Sequence, residues 1–343
     1  MIQRSLLILL TVLLTQLDLC GQSNRLSFDW TQGPTVVSGS DTLRMAFMGG
    51  ADLPQFSRVD LNLDGTEDLV AFDRQGNRWL TFLAENNTWI PAPAYADSLP
   101  KVQYWGLFRD YNGDGKKDLF AYVLGGMGVW TNNSTDSLQF DWALSGTYLT
   151  TNVGSATANL YNFSSDIPAI DDIDNDGDLD VLTFGQRATI EWHEGLTPNG
   201  LDFAMNTTCW GRFEEGLNSN DLALDACQGV QKMEFSQKNS GGAHAGSTVL
   251  TLNLNGDTLT DVLLGDVSFT NLVAAFNGGH IDSAYMSSKD TLFPTSIPTN
   301  IEYFPAAFYE DVDFDSIPDL LVAPNLNGSI NQGNAWLYKN TGA

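Results

Sequence analysis

Apolar positions in this chain come in short runs of strand type, bounded by turn residues and strongly polar loops. The clearest runs are Leu69-Val-Ala-Phe72, Leu119-Phe-Ala-Tyr-Val123, Val181-Leu-Thr-Phe184, Val262-Leu-Leu264 and Leu320-Leu-Val322. Before each lies a nine-residue polar stretch, and before that a second apolar run, as in Tyr104-Trp-Gly-Leu-Phe108 or Tyr303-Phe-Pro-Ala-Ala-Phe308. A third run with an aromatic and a small polar stop follows: Trp79-Leu-Thr-Phe82, Trp130-Thr-Asn-Asn133, Trp192-His-Glu-Gly195, Phe276-Asn-Gly-Gly279 and Trp336-Leu-Tyr338. A fourth appears as Leu138-Gln-Phe-Asp-Trp142 and Leu201-Asp-Phe203. Four strands per unit, repeated five times, predict an all-β fold of the β-propeller type, with the polar stretch joining first to second strand in each blade. The aromatic residues of these runs are expected in the core between blades.

The polar stretches begin at residues 60, 110, 172, 253 and 311. Blades are expected near residues 55–100, 103–150, 165–240, 247–298 and 303–343. Leu26-Ser-Phe-Asp-Trp30 resembles a fourth strand without its first three, and the fifth unit shows only three strands. Residues 26–31 are therefore expected to complete the last blade, beside the strand near 335–339. A larger propeller, of which five blades are visible, is the alternative. Residues 204–243 form an insertion that holds Trp210, Phe213, Cys209 and Cys227.

The polar stretches carry the chemistry. Asp172-Ile-Asp174-Asn-Asp176-Gly177-Asp-Leu-Asp180 places carboxylates at positions 1, 3, 5 and 9, with glycine at position 6. The pattern recurs as Asp60, Asn62, Asp64 and Asp68; as Asp110, Asn112, Asp114 and Asp118; as Asn253, Asn255, Asp257 and Asp261; and as Asp311, Asp313, Asp315 and Asp319. Two carboxylates about 4 Å apart repel by ~1 kcal/mol in water and ~4 kcal/mol at an effective dielectric near 20. Four on one turn call for a cation, and the hard cation with many oxygen ligands in flexible geometry is Ca²⁺. Four to five ions are expected. A single such stretch would also suit an acidic surface turn; five with one spacing favour ligation. Position 12 is Ala71, Ala121, Thr183, Leu264 or Val322 rather than the Glu of an EF-hand, and a strand follows instead of a helix.

The charge balance extends this picture. The net charge is −26, which argues against nucleic acid and anionic membrane surfaces as partners. Ligand-position carboxylates number three, three, four, two and four along the loops, sixteen of the 42 acidic residues. Residues 1–21 read as a secretory signal: Arg4, an apolar core from Leu6 to Leu14, and cleavage near Gly21. That core is too short to span a bilayer, and no later run is long enough. Residues 22–343 are then the propeller. In an oxidising compartment, Cys209 and Cys227 are expected to pair, worth about 3 kcal/mol by chain entropy.

The loop pattern, the apolar strand after it, and third strands such as Trp336-Leu-Tyr-Lys-Asn-Thr-Gly342 resemble the FG-GAP/VCBS-type calcium-binding propellers of secreted bacterial proteins. They are also similar to the propeller of integrin α subunits. The resemblance implies that side chains at positions 1, 3, 5 and 9 and the backbone carbonyl at position 7 ligate Ca²⁺. Loop five has Ser316 at position 6, and loop four has Thr258 there with Asn at positions 1 and 3.

No P-loop, dinucleotide fingerprint, zinc spacing or nucleophile elbow occurs, and His193, His244 and His280 fall in separate units. The expected function is an exported or cell-surface, non-catalytic scaffold for an extracellular protein or glycan. A polysaccharide lyase or hydrolase, and a structural segment of a longer surface protein, are the alternatives. Partner contacts are expected on the face opposite the calcium loops, along residues 143–165, 204–245 and 280–302, with Trp210 and Phe213 as first candidates.

Overall fold

The fold comes from a computed structural model that describes residues 36–43, 50–185, 188–216, 219–227, 246–326, 328, 333 and 335–342. The expected leader, the strand at 26–31 and His244 lie outside the described residues. A first unit, Met1–Met48, contributes an antiparallel hairpin, β1 (Val36–Ser38) and β2 (Asp41–Leu43).

The second unit, Gly49–Ala343, is a five-bladed β-propeller. Blade one is β3 (Pro54–Val59), β4 (Asp68–Asp73), β5 (Arg78–Ala84) and β6 (Trp89–Pro91). Blade two is β7 (Gln103–Arg109), β8 (Asp118–Val123), β9 (Gly126–Asn132) and β10 (Phe140–Trp142). A hairpin follows, β11 (Thr150–Val153) and β12 (Ala156–Asn159), and then blade three: β13 (Ala169–Asp171), β14 (Asp180–Phe184), β15 (Ile190–Gly195) and β16 (Phe203–Thr207). A second hairpin, β17 (Phe213–Glu215) and β18 (Leu222–Leu224), precedes blade four: β19 (Ser247–Leu252), β20 (Asp261–Asp266), β21 (Leu272–Asn277) and β22 (Met286–Phe293). Blade five shows β23 (Pro305–Glu310), β24 (Asp319–Pro324) and β25 (Trp336–Tyr338) among the described residues. Neighbouring strands within each blade run antiparallel.

The burial of each strand follows from its place. Second strands such as β4, β14 and β24 are buried along their whole length, because a neighbouring blade covers each face. Their near-continuous apolar sequence is the consequence. The outer strand β22 is instead exposed or half-buried at every position after Met286.

Four buried clusters fill the spaces between blades. Phe72 and Trp79 of blade one meet Phe108 and Leu119 of blade two. Phe120 and Val129 meet Ile170 and Val181 of blade three. Leu182 and Trp192 meet Val249 and Val262 of blade four, and Leu263 and Leu272 meet Leu320 and Val322 of blade five. Blade five in turn packs on blade one, where Phe56 and Phe308 contact edge to face at 5.9 Å. The Trp89 indole N–H also donates to the Val312 carbonyl at 2.8 Å. The ring therefore closes with five blades.

Two connections differ from the sequence expectation. Residues 280–302 contain β22, an eight-residue fourth strand, where a long loop was expected. Its sequence Met286-Ser-Ser-Lys-Asp-Thr-Leu-Phe293, with five polar residues in a row, reads as a loop because the strand is outermost. Within 143–165, β11 pairs parallel with β16 and widens the sheet of blade three to six strands.

Candidate metal-binding loops and the opposite face

All five loops join first to second strands and so lie on one face of the propeller. Positions 4 and 6 are left-handed in every copy: Leu63 and Gly65, Gly113 and Gly115, Asn175 and Gly177, Gly256 and Thr258, Phe314 and Ser316. This double reversal turns the side chains at positions 1, 3 and 5 inward, where their oxygens accept loop amides. In loop one, Asp60 accepts from Asp64 N and Gly65 N at 3.2 and 2.8 Å, Asn62 from Asp64 N at 3.0 Å, and Asp64 from Thr66 N at 2.8 Å. The bonds recur in loop two (Asp110 to Gly115 N, 2.8 Å), loop three (Asp172 to Gly177 N, 3.1 Å) and loop five (Asp311 to Ser316 N, 3.0 Å). Asn253 of loop four, with one acceptor oxygen, bonds Gly256 N at 2.7 Å.

Position 9 has a second role that the spacing alone did not reveal. Asp68, Asp118, Asp180, Asp261 and Asp319 are all buried. One oxygen of each accepts an amide at the end of the third strand: Ala84, Asn132, Gly195, Asn277 and Asn340, at 2.7–2.8 Å. The other accepts the position-2 amide in loops one to four: Leu61, Tyr111, Ile173 and Leu254. Position 9 thus clamps the loop to its blade. A carboxylate offers about four lone-pair sites, so capacity for a cation remains.

Burial, offset in part by the amide bonds, pushes Asp180 up to about 7 and Asp118 up to about 6. Burial and the Asp176 charge push Asp174 up to about 6. Asp68 and Asp261 are raised for the same first reason. Buried carboxylate atoms stand without a hydrogen-bond partner at Asp174 Oδ1 and Asp178 Oδ1 in loop three and at Asp319 Oδ2 in loop five. Carboxylate oxygens of Asp172, Asp174 and Asp176, and of Asp311, Asp313 and Asp315, converge within 4.8 Å. This all-oxygen donor set fits a hard divalent cation. At loop five the Lys339 ammonium contacts Asp313 and lies 3.3 Å from Asp315, which holds the Asp313 carboxyl below its ordinary range. Sequence reasoning missed this lysine, which reaches the loop from beyond β25.

The insertion corrects one expectation. Trp210 and Phe213 are only 3% and 0% exposed, packed in the cluster between blades three and four. They are core, not a contact surface. Cys209 and Cys227 form a disulfide with Cα atoms 6.4 Å apart, closing the base of the β17–β18 hairpin. A cleft of about 770 Å³ lies beside it, lined by Trp192, Asn206, Arg212, Asp225 and Asp282 among others.

On the face opposite the loops, Arg74 ties blades together. Its guanidinium donates to Asn325 Oδ1 of blade five at 2.7 Å and to the carbonyls of Ser164 and Ser165, which lead into blade three. It also lies over the Tyr104 ring of blade two, 5.9 Å from its centroid. Among the described residues no helix is long and apolar enough to cross a membrane.

Comparison with known proteins supports part of this picture. The FG-GAP-like repeat family matches residues 60–121, from loop one to the second strand of blade two. No curated protein matches the chain. Among solved structures the chain is similar to an Agrocybe aegerita lectin, described by its specific recognition of non-reducing terminal N-acetylglucosamine. The two are 14% identical, covering 87% of this chain and 69% of that one, with a TM-score of 0.38. The propeller assignment rests on the blades themselves and not on that likeness.

Proposed function

We propose that the chain is an exported, calcium-stabilised propeller that serves as a non-catalytic scaffold for binding a protein or glycan outside the cell. The observation that carries this reading is the one-faced set of five loops with inward-turned oxygens and unpartnered buried carboxylate atoms. Asp60, Asn62, Asp64 and Asp68, and their counterparts in the other four loops, are the proposed Ca²⁺ ligands, with the position-7 carbonyl completing each site. Bound Ca²⁺ would neutralise the loops and let the buried position-9 carboxylates stay ionised. Loop four, with two carboxylates, is the weakest of the five. The disulfide and the apolar stretch from Leu6 to Leu14 support export, to a compartment where Ca²⁺ is plentiful. Residues 1–21 are the proposed leader and 22–343 the mature protein.

Thermal melting in millimolar Ca²⁺ and in excess chelator tests the metal assignment. Each site at a hundredfold excess over its Kd adds about 2.7 kcal/mol. We expect a melting temperature higher by ten degrees or more on the order of several such terms. Identical melting in the two conditions overturns the metal assignment. Turnover in a panel of polysaccharides would move the reading from scaffold to enzyme.

A further inference from the structure

The inner strand β7 carries a β-bulge between Gln103 and Gly106. At its centre Tyr104 has φ 68°, a left-handed conformation in which a tyrosine is rare. Blade one holds it there. The buried Gln55 side chain donates to the Tyr104 carbonyl at 2.9 Å and accepts from Gly106 N at 3.2 Å. Asn77 Oδ1 accepts from Tyr104 N at 3.1 Å. Three bonds from a neighbouring blade thus fix a strained backbone whose result is to present one aromatic ring on the face opposite the loops. Bulges re-aim side chains in this way, and strain of this kind concentrates at functional sites.

The ring does not stand alone. Tyr104 meets Tyr122 edge to face at 4.9 Å. Tyr161 meets Phe163 in the same way at 5.0 Å. The Asn159 side-chain amide donates to the Gly125 carbonyl at the β8–β9 turn, and Arg74, which lies over Tyr104, donates to the Ser164 and Ser165 carbonyls, so the segment that carries Tyr161 is held beside Tyr104 and Tyr122. Tyr104 is 39% exposed and Tyr161 41%, and Leu124 stands out at the adjacent turn between β8 and β9. The Arg74 contact braces Tyr104 from within the ring of blades.

We propose that Tyr104, Tyr122 and Tyr161 form a preorganised platform for a neutral glycan. This rests on the scaffold reading above and names its site and ligand class. Tyrosine supplies ring faces for the C–H faces of a pyranose and hydroxyls for its polar edge, at low entropic cost. Size favours a short glycan over a protein. Two tyrosines about 40% exposed offer on the order of 150–200 Å², against roughly 800 Å² per partner in a stable protein interface. Charge favours a neutral one, since the chain carries −26 and repels sulfated or uronic chains.

Titration of the full chain in Ca²⁺ with neutral tetrasaccharides (cello-, manno-, xylo-, laminari- and chitotetraose), read by calorimetry, tests the proposal. A heparin tetrasaccharide serves as the anionic control. We expect binding of at least one neutral probe, weakened roughly tenfold or more by Tyr104→Ala and by Tyr161→Ala. Melting of each variant checks folding, and Tyr161→Ala carries the test if Tyr104→Ala disturbs the bulge. Failure of every neutral probe overturns the ligand class while leaving the calcium-stabilised scaffold standing. Binding that survives in both variants overturns the site, and preference for the heparin probe overturns the charge argument. A dimer that dissociates in Tyr104→Ala would make the platform a self-association face and also overturn the proposal.

Discussion

At the scale of single residues, the five loops share one backbone conformation but differ in how well their residues suit it. Glycine at position 6 suits the left-handed turn in loops one to three, but Thr258 and Ser316 occupy it at φ 73° and 70°. A β-branched residue there is strained by about 1–3 kcal/mol. Thr258→Gly is therefore expected to stabilise the fold by about 1 kcal/mol, the relief of strain exceeding the entropic cost of glycine. Ser316→Gly should gain less, because serine is not β-branched. Urea unfolding checks both, and a loss of stability in Thr258→Gly would show that the threonine side chain matters more than its φ. The ligand spacing was legible in the sequence because nine consecutive residues supply it. The left-handed position 4 was not, since Leu63 and Phe314 give no composition signal for it. Lys339, 26 residues from Asp313, could only be found in three dimensions.

At the scale of elements, first, second and third strands were readable because each is an apolar run with a polar stop. Elements whose partners lie in another blade were not. The β11–β12 hairpin joins blade three through a parallel pairing that no local pattern announces. Trp210 and Phe213 looked available because they sit in an insertion; they are buried because β17 and β18 fold their apolar residues onto blades three and four. The two short apolar-bearing runs Phe213-Glu-Glu215 and Leu222-Ala-Leu224, parted by the stretch Gly216-Leu-Asn-Ser-Asn-Asp221, were the signal for that hairpin. A buried histidine fastens the β11–β12 element. His193 of β15 bonds Thr151 Oγ1 of β11 at 3.1 Å through Nδ1 and Thr183 Oγ1 at 3.3 Å through Nε2. Burial pulls its pKa down to about 4, outweighing the Glu191 carboxylate 3.8 Å away, whose own pKa burial raises. The unfolded chain takes up the proton near pH 6.5 and the folded chain near 4, so this contribution is lost as pH falls through that window. It amounts to about 3 kcal/mol. His193→Gln should remove that acid sensitivity, seen as a flatter fall in unfolding free energy than in wild type between pH 7 and 4. An unchanged slope would mean the imidazole takes up its proton in the fold as readily as in the unfolded chain.

For the whole molecule, the acidic loops and the closed ring are one problem. Each of the five second strands opens on a buried position-9 aspartate with an oxygen that holds the third strand. Without a cation, burial makes Asp68, Asp118, Asp180 and Asp261 retain protons that the unfolded chain has already released. Asp180 does so up to about pH 7 and Asp118 up to about pH 6, as does Asp174 at position 3 of loop three, against an unfolded value near 3.8. Metal-free stability is then greatest below pH 4 from these groups and falls as pH rises through 6 and 7, by an amount on the order of several kcal/mol. A divalent ion bound as proposed would replace the protons and favour the ionised loops, so its affinity should rise over the same interval. Melting curves of metal-stripped protein and of protein in millimolar Ca²⁺, taken from pH 4.5 to 8, should therefore diverge steadily as pH increases. His193 acts in the opposite direction but equally on both curves, so it drops out of their difference. A gap that stays constant across this range would mean that the position-9 carboxylates are ionised without metal, and that the third strands are held by hydrogen bonds alone.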